Sequence, residues 1–310
     1  MTPADLTFLA RFLKERSGLI IGEDKRYLVD SRLGPVARKA GIASIGELIG
    51  KLMRGGDTAL AQSVVEAMTT NESFFFRDGT PFTQFTDVVL PQLIAARATQ
   101  RKIRIWCAAC STGQEPYSLA MLLEQKAAQL AGWTVEIVAT DLASDILERA
   151  RNGLFTQFEV QRGLPVRMLV DYFTQEGDQW RISPKLRNRI QFRTLNLLRD
   201  FSPLGAFDVV FCRNVLIYFD EATKNDVVRR IAKQMPADGY LVLGAAETVM
   251  GATAPVRSHP NHRGLFMRTD APAAAAPAAR PAFGNAPAQG ATPATPPAPS
   301  LQSKIAAFRR

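Results

Sequence analysis

The apolar residues of the chain change rhythm along its length. Over the first 70 residues they recur three and four apart, as in Leu6, Leu9, Phe12 and Leu13, and again in Ile45, Leu48, Ile49 and Leu52. That is the period of helices with one buried face. Boundary chemistry accompanies it. Thr2-Pro3-Ala4-Asp5 offers a cap, a proline at the first helical position and an acid in the first turn, and Gly18 supplies a stop. A second helix is expected over about 24–39, kinked at Gly34-Pro35. A third opens at Ser44-Ile45-Gly46-Glu47, a capping-box pattern, and a fourth covers about 58–68.

From about residue 90, short apolar runs alternate with helical patterns. Strands are expected at 103–108, 135–140, 188–194, 208–212 and 239–244, and helices at 115–130, 143–151 and 221–234. Such alternation predicts a mostly parallel sheet covered on both faces. Residues 160–192, with Trp180-Arg181-Ile182, interrupt it and read as a small inserted antiparallel β subdomain. Residues 257–268 read as a final antiparallel hairpin. The fold class expected is α/β, a Rossmann-like sheet preceded by a small all-α domain. The corresponding segments are 1–70 for the helices, 71–90 for a linker helix, 91–270 for the sheet domain and 271–310 for a tail.

Composition narrows the class. The 310 residues are 46% hydrophobic, without an apolar run long enough to span a bilayer. The N-terminus has neither a basic leader nor a signal-peptide core. A cytoplasmic protein without direct membrane insertion is expected. Three cysteines, an odd number, fit a reducing compartment. The net charge is +9, but four basic residues and no acidic ones follow Asp270, where composition turns to Ala and Pro. The rest of the chain is mildly basic, which permits nucleic acid without demanding it. The tail reads as a disordered linker. Its end, Lys304-Ile305-Ala306-Ala307-Phe308-Arg309-Arg310, reads as a solvated terminus or a short docking element.

Candidate chemistry gathers where an open parallel sheet binds ligands, outside the carboxyl ends of its strands. Three segments meet there: the loop 108–115, Thr140-Asp141, and Cys212-Arg213-Asn214. The loop has one glycine, Gly113, and Glu115 stands at the start of the next helix. A dinucleotide would want more glycines beneath its pyrophosphate, and a carboxylate there repels phosphate. S-adenosylmethionine has no phosphate and carries a sulfonium and an ammonium, so it suits the pattern. Asp141 is placed to accept hydrogen bonds from ribose hydroxyls. Taken alone, Glu115 fits a helix-capping role equally well. Cys107-x-x-Cys110 suggests redox chemistry, but Cys107 falls in a buried strand without thioredoxin-like context. Three thiols without a nearby histidine make a poor zinc site, and His259 and His262 fall in the terminal hairpin, so no metal is expected.

Four blocks carry a resemblance: Asn71-Glu72-Ser73-Phe74-Phe75-Phe76-Arg77, Ser111-Thr112-Gly113-Gln114-Glu115-Pro116-Tyr117-Ser118, Ala139-Thr140-Asp141, and Phe211-Cys212-Arg213-Asn214-Val215-Leu216-Ile217-Tyr218-Phe219. In this order, after an α domain, they resemble the CheR-type chemoreceptor glutamate O-methyltransferases over about residues 5–268. The resemblance implies a methyltransferase sheet using S-adenosylmethionine, with S-adenosylhomocysteine and glutamate methyl esters as products. It implies that Asn71, Ser73 and Arg77 face the cofactor, Ser73 keeping the hydroxyl where many members have threonine. Glu115 and Asp141 match the two acidic cofactor contacts. Asn196-Leu197 and Arg213-Asn214 match contacts around the adenine and the methionine part, and Tyr218 lies in the active-site block. Arg77 and Tyr218 are the candidate catalytic residues, orienting carboxylate and methyl group; a structural ion pair is the other reading of Arg77.

The implied partner is the acidic helical methylation region of chemoreceptors. Lys25, Arg32 and Lys39 lie seven apart, near one helix face, with Arg26 and Arg38 close by. A basic face would steer toward such a region; without the resemblance it reads as a solvated charged surface. Family members that grip a receptor tether peptide have a long glycine-rich hairpin tip. Here the tip, 173–180, is short, so no tether dependence is expected. Two rivals remain. One is a methyltransferase of nucleic acid or another protein, although Asn214-Val215-Leu216-Ile217-Tyr218 lacks the prolines usual in amino-methylating enzymes. The other is a non-catalytic adaptor that senses S-adenosylmethionine.

Overall fold

The first helices form where local chemistry stops the chain from continuing otherwise. In the computed structural model, which describes residues 1–249 and 254–270, α1 spans Pro3–Ser17. Thr2 Oγ1 accepts from the Asp5 amide, Asp5 answers at the Thr2 amide, and Gly18 ends the helix at φ +78°. α2 (Arg26–Lys39) runs through Gly34-Pro35 as one helix. α3 (Ile45–Arg54) is capped by Ser44, and α4 (Thr58–Met68) by Asp57. Leu9, Leu13, Val29, Leu33, Leu48 and Val64 are fully buried among them and make a separate small core.

Beyond it, residues 71–79 are irregular. Then α5 (Thr80–Gln84), a widened π turn (Phe85–Val89) and α6 (Leu90–Ala96) follow without a gap. The helical run thus extends past residue 90. Pro91 lacks an N–H, and the Leu90 amide donates five residues back to Phe85, which is the widened turn.

The sheet domain then alternates: β1 (Lys102–Ala108), α7 (Gln114–Gln125), β2 (Thr134–Asp141) and α8 (Ser144–Asn152). A small three-stranded antiparallel sheet interrupts it: β3 (Leu154–Thr156), α9 (Gln157–Gln161), α10 (Val166–Tyr172), β4 (Phe173–Glu176), β5 (Gln179–Ile182) and α11 (Pro184–Arg187). It begins earlier than residue 160, because three-residue β3 pairs with β5. The main sheet resumes with β6 (Ile190–Thr194), β7 (Val209–Cys212), α12 (Glu221–Lys233), β8 (Tyr240–Leu243), β9 (Val256–His259) and β10 (His262–Arg268). Its order is β6-β2-β1-β7-β8-β10-β9, parallel except for the terminal hairpin. This is the α/β architecture expected. The tail, 271–310, lies outside the described residues, and with it the docking reading of 304–310.

Register decides where chemistry can sit. Ala108 pairs with Thr140 on one side and Cys212 on the other, so β1, β2 and β7 end in one row. The chain turns away from β1 in opposite directions, and the crevice beyond that row is the ligand position of an open sheet. The helical domain closes over it. Lys14 pairs with Asp220 at 2.7 Å, Asn196 Nδ2 donates to the Arg16 carbonyl at 2.6 Å, and the Ile20 amide donates to the Tyr218 carbonyl at 3.0 Å.

Candidate active site

The crevice opens to solvent and is lined by residues of both the sheet domain and the helical domain. Asn71, Ser73, Arg77, Glu115, Asp141, Asn196, Leu197, Arg213, Asn214 and Tyr218 all line it. Ser17, Leu19, Thr69 and Thr70 of the helical domain complete the wall.

The first wall is the loop after β1. Ala109 (φ +56°), Ser111 (φ +51°) and Gly113 (φ +92°) alternate in left-handed backbone. Such strain in non-glycine residues clusters at functional sites. Gly113 serves packing: a Cβ there would lie 3.1 Å from Ala150 Cβ and from the Tyr117 ring. Asp141 fixes the loop. Its Oδ2 accepts from the Ser111 amide at 2.8 Å and its Oδ1 from the Ala143 amide at 3.0 Å. Burial pushes its carboxyl above the ordinary value, against the lowering effect of these amides.

The second wall is the 71–77 block, whose aromatic run has a packing reason. Phe75 is fully buried edge-on against Phe155 and Phe173 of the small sheet, and Phe76 packs on Phe82. The Phe76 amide donates to Ser118 Oγ, and Ser111 Oγ donates to the Asn71 carbonyl. Arg77 is half-buried, donates from Nη1 to the Glu72 carbonyl at 2.8 Å and lies 5.5 Å from the Phe74 ring. Glu72 itself pairs with Arg162, so the Arg77 side chain is not an ion-pair partner among the described residues.

The floor is Arg213, whose side chain is 2% exposed. Its Nη1 donates to Glu115 Oε2 at 2.8 Å, and its Nη2 to Asp78 Oδ2 at 2.7 Å and the Arg77 carbonyl at 2.8 Å. Its Nε is buried without a partner among the described residues. Glu115 therefore does not cap α7. Burial raises its carboxyl pKa, with Arg213 opposing and Glu247 adding to the rise. Cys107 and Cys212 lie buried outside the lining and Cys110 lies buried in the crevice wall, and burial first of all pushes all three thiols well up, so they stand as neutral apolar filling.

Long-range contacts add to the sequence expectation at Asn196, Arg32 and Glu247. Asn196 is tied to Arg16 and, through Oδ1, to the Leu198 amide, so its side chain bridges the two domains while lining the crevice. Arg32 does not stand on a solvated basic face: Nη1 donates to the Met68 and Thr69 carbonyls at 2.8 and 3.0 Å, and Nη2 to Thr70 Oγ1 at 3.2 Å. Arg26 reaches the Met1 carbonyl, while Lys25, Arg38 and Lys39 are exposed. Glu247, absent from the sequence reading, is a buried carboxylate holding the turn after β7. Nothing local marked it, because three of its four main-chain partners lie more than 30 residues away.

The donor set fits S-adenosylmethionine: the carboxylates of Glu115 and Asp141 beside small residues, with Glu72 at the wall, no fan of glycine amides for a pyrophosphate, and an orphaned guanidinium nitrogen at the floor. Residues 71–264 match the CheR methyltransferase SAM-binding domain, and residues 4–69 match the CheR methyltransferase all-alpha domain. The chain belongs to the CheR methyltransferase family. It is 44% identical over 252 residues to chemotaxis protein methyltransferase 1 of Pseudomonas aeruginosa, covering 79% of this chain and 90% of that one. It is 41% identical over 244 residues to chemotaxis protein methyltransferase Cher2 of Pseudomonas putida, covering 77% and 88%. It is 38% identical over 247 residues to a chemotaxis protein methyltransferase of Vibrio parahaemolyticus, covering 79% and 89%. As a CheR methyltransferase the chain is an S-adenosylmethionine-dependent enzyme of chemotaxis, most of its crevice lining belongs to the SAM-binding domain, and no helix among the described residues is long and apolar enough to cross a membrane.

Proposed function

We propose that the chain methylates glutamate side chains in the cytoplasmic, acidic, helical methylation region of chemoreceptors. The products are glutamate methyl esters and S-adenosylhomocysteine, and the purpose is sensory adaptation. One observation carries the reading. All three carboxylates of the crevice are held by the protein, Glu72 by Arg162, Glu115 by Arg213 and Asp141 by two amides, and no histidine is among the lining residues. No side chain stands ready as a general base. A glutamate nucleophile needs none, since its ordinary pKa of about 4.3 leaves it ionised at neutral pH.

S-adenosylmethionine, when bound, supplies an electrophilic methyl on a sulfonium. The chain supplies alignment, which is worth up to roughly 7–11 kcal/mol of barrier. Asn71, Ser73, Asn196, Leu197, Arg213 and Asn214 hold the cofactor. Glu115 and Asp141 place negative charge beside its cationic and ribose ends. Arg77 has one nitrogen on the Glu72 carbonyl and offers the rest of its planar fork to the incoming carboxylate. Tyr218, whose carbonyl anchors Ile20, orients the methyl group from the β7 side. Exposed Lys25, Arg26, Arg38 and Lys39 attract the acidic receptor helices by steering. The turn between β4 and β5 is only Gly177-Asp178, which supports independence from a receptor C-terminal tether. No nucleic acid is required.

The test uses purified protein, labelled S-adenosylmethionine and receptor-containing membranes. Base-labile label on the receptor band is expected, because methyl esters hydrolyse in base. Base-stable label, or label on nucleic acid, would overturn the substrate. Cofactor binding without any label would favour the adaptor reading.

A further inference from the structure

Four main-chain amides converge on one buried carboxylate beside the crevice. Glu247 is 4% exposed. Its Oε2 accepts from Gly244 at 2.7 Å and Asn214 at 2.8 Å, and its Oε1 from Val215 at 2.9 Å and Leu216 at 2.7 Å. The arrangement has a physical origin. The chain leaves the sheet after Cys212, and Asn214 turns it with φ +59°. Three consecutive amides then face inward, and leaving them unpaired in the interior would be costly. A carboxylate satisfies all three at once with charge-assisted bonds.

The consequence falls on the Asn214 side chain. Its backbone is held from behind by Glu247, so a conformation unusual for a residue with a Cβ becomes its resting one. Among the described residues its side-chain amide has no protein hydrogen bond, and it lines the crevice. Its Nδ2 and Glu247 Oε2 both lie against Gly244, where a Cβ would come within 2.9 and 2.8 Å of them.

We propose that Glu247 is a positioning residue for the cofactor. By holding the 214–216 turn it presents the Asn214 side-chain amide to S-adenosylmethionine, and Gly244 leaves the space in which both sit. The inference rests on the proposed reading of the crevice only for what Asn214 touches, so its test reads binding rather than turnover.

The experiment is calorimetric titration of S-adenosylhomocysteine into the wild type, Glu247→Gln, Asn214→Ala and the double variant. Glutamine keeps the shape but turns an NH2 toward amides that need an acceptor. Each single variant is expected to weaken binding roughly tenfold, a shift of about 1.4 kcal/mol. The double variant should be no weaker than the worse single, because both act through one amide. Additive losses, or wild-type affinity in Glu247→Gln, overturn the proposal. Should Glu247→Gln fail to fold, Gly244→Ala decides. Gly244 is not in left-handed backbone, so alanine is admissible there, yet its methyl displaces Glu247 and Asn214 together. Weakened binding by the folded Gly244→Ala variant supports the proposal, and wild-type affinity overturns it. Intact cofactor binding without glutamate methylation would instead count against the proposed function and leave this inference standing.

Discussion

Arg213 donates to Glu115 at 2.8 Å across 98 positions of sequence, and neither side chain is more than 12% exposed. The pair joins the end of β7 to the start of α7 beneath the crevice. Removing one partner leaves the other charge buried and uncompensated, which costs about 3–5 kcal/mol. Arg213→Ala should therefore lower the free energy of urea unfolding by about that amount, and adding Glu115→Gln should recover part of it. A loss below about 1 kcal/mol would show that the pair is solvated in solution.

The same burial sets a pH dependence. Glu115 and Asp141 both have carboxyl pKa values raised by burial, so each takes up a proton at higher pH than a free side chain. A raised carboxyl binds more protons folded than unfolded. Its contribution to stability is therefore best at low pH and declines as pH rises from about 4 toward the folded value. Cofactor affinity has the opposite sign, because the cationic ligand wants both groups ionised. Affinity for S-adenosylmethionine should start to fall on acidification at higher pH than an ordinary carboxylate would impose, and Glu115→Gln should flatten that limb. Constant wild-type affinity down to about pH 4.5 would contradict the assignment.

Arg77 offers a cleaner separation of chemistry from folding. It is half-buried and makes one hydrogen bond, to a neighbouring carbonyl. Arg77→Ala should leave the unfolding midpoint within a degree or two while methyl transfer drops roughly a hundredfold, the scale on which misalignment of about 1 Å acts. Near-normal turnover would remove it from the reaction.

The sheet and its crevice were legible because strand-forming runs such as Ile103, Ile105 and Val138 alternate with helical periods, and a parallel sheet binds at its carboxyl edge. The three segments expected to meet there do meet, with Ala108, Thr140 and Cys212 in register. What escaped reading was carried by long-range contacts with no periodic mark. Glu247 serves main-chain amides, which every residue type except proline presents. β3 is three residues long, too short to show a period, and is a strand only because β5 lies beside it. Arg32 has the spacing of a surface cation, but its length lets it reach carbonyls 36 and 37 positions away.

That last contact separates two kinds of basic residue on α2. Met68, Thr69 and Thr70, the partners of Arg32, end α4 and begin the crevice wall, where Thr69, Thr70 and Asn71 all lie. Arg32 thus satisfies carbonyls left open at a helix end and holds the segment that leads to Arg77. Arg32→Ala should weaken S-adenosylhomocysteine binding several-fold with no receptor present. Arg32→Lys should recover little, since an ammonium cannot reproduce a fork that spans three acceptors. Lys39→Glu and Arg38→Glu, at exposed positions, should leave that binding unchanged while slowing receptor methylation, and should reduce its sensitivity to salt. Titration calorimetry and receptor labelling at two ionic strengths distinguish the two classes. If Arg32→Ala binds the cofactor normally and loses only receptor methylation, Arg32 belongs with the steering residues, and the contacts it makes to the end of α4 do not shape the crevice.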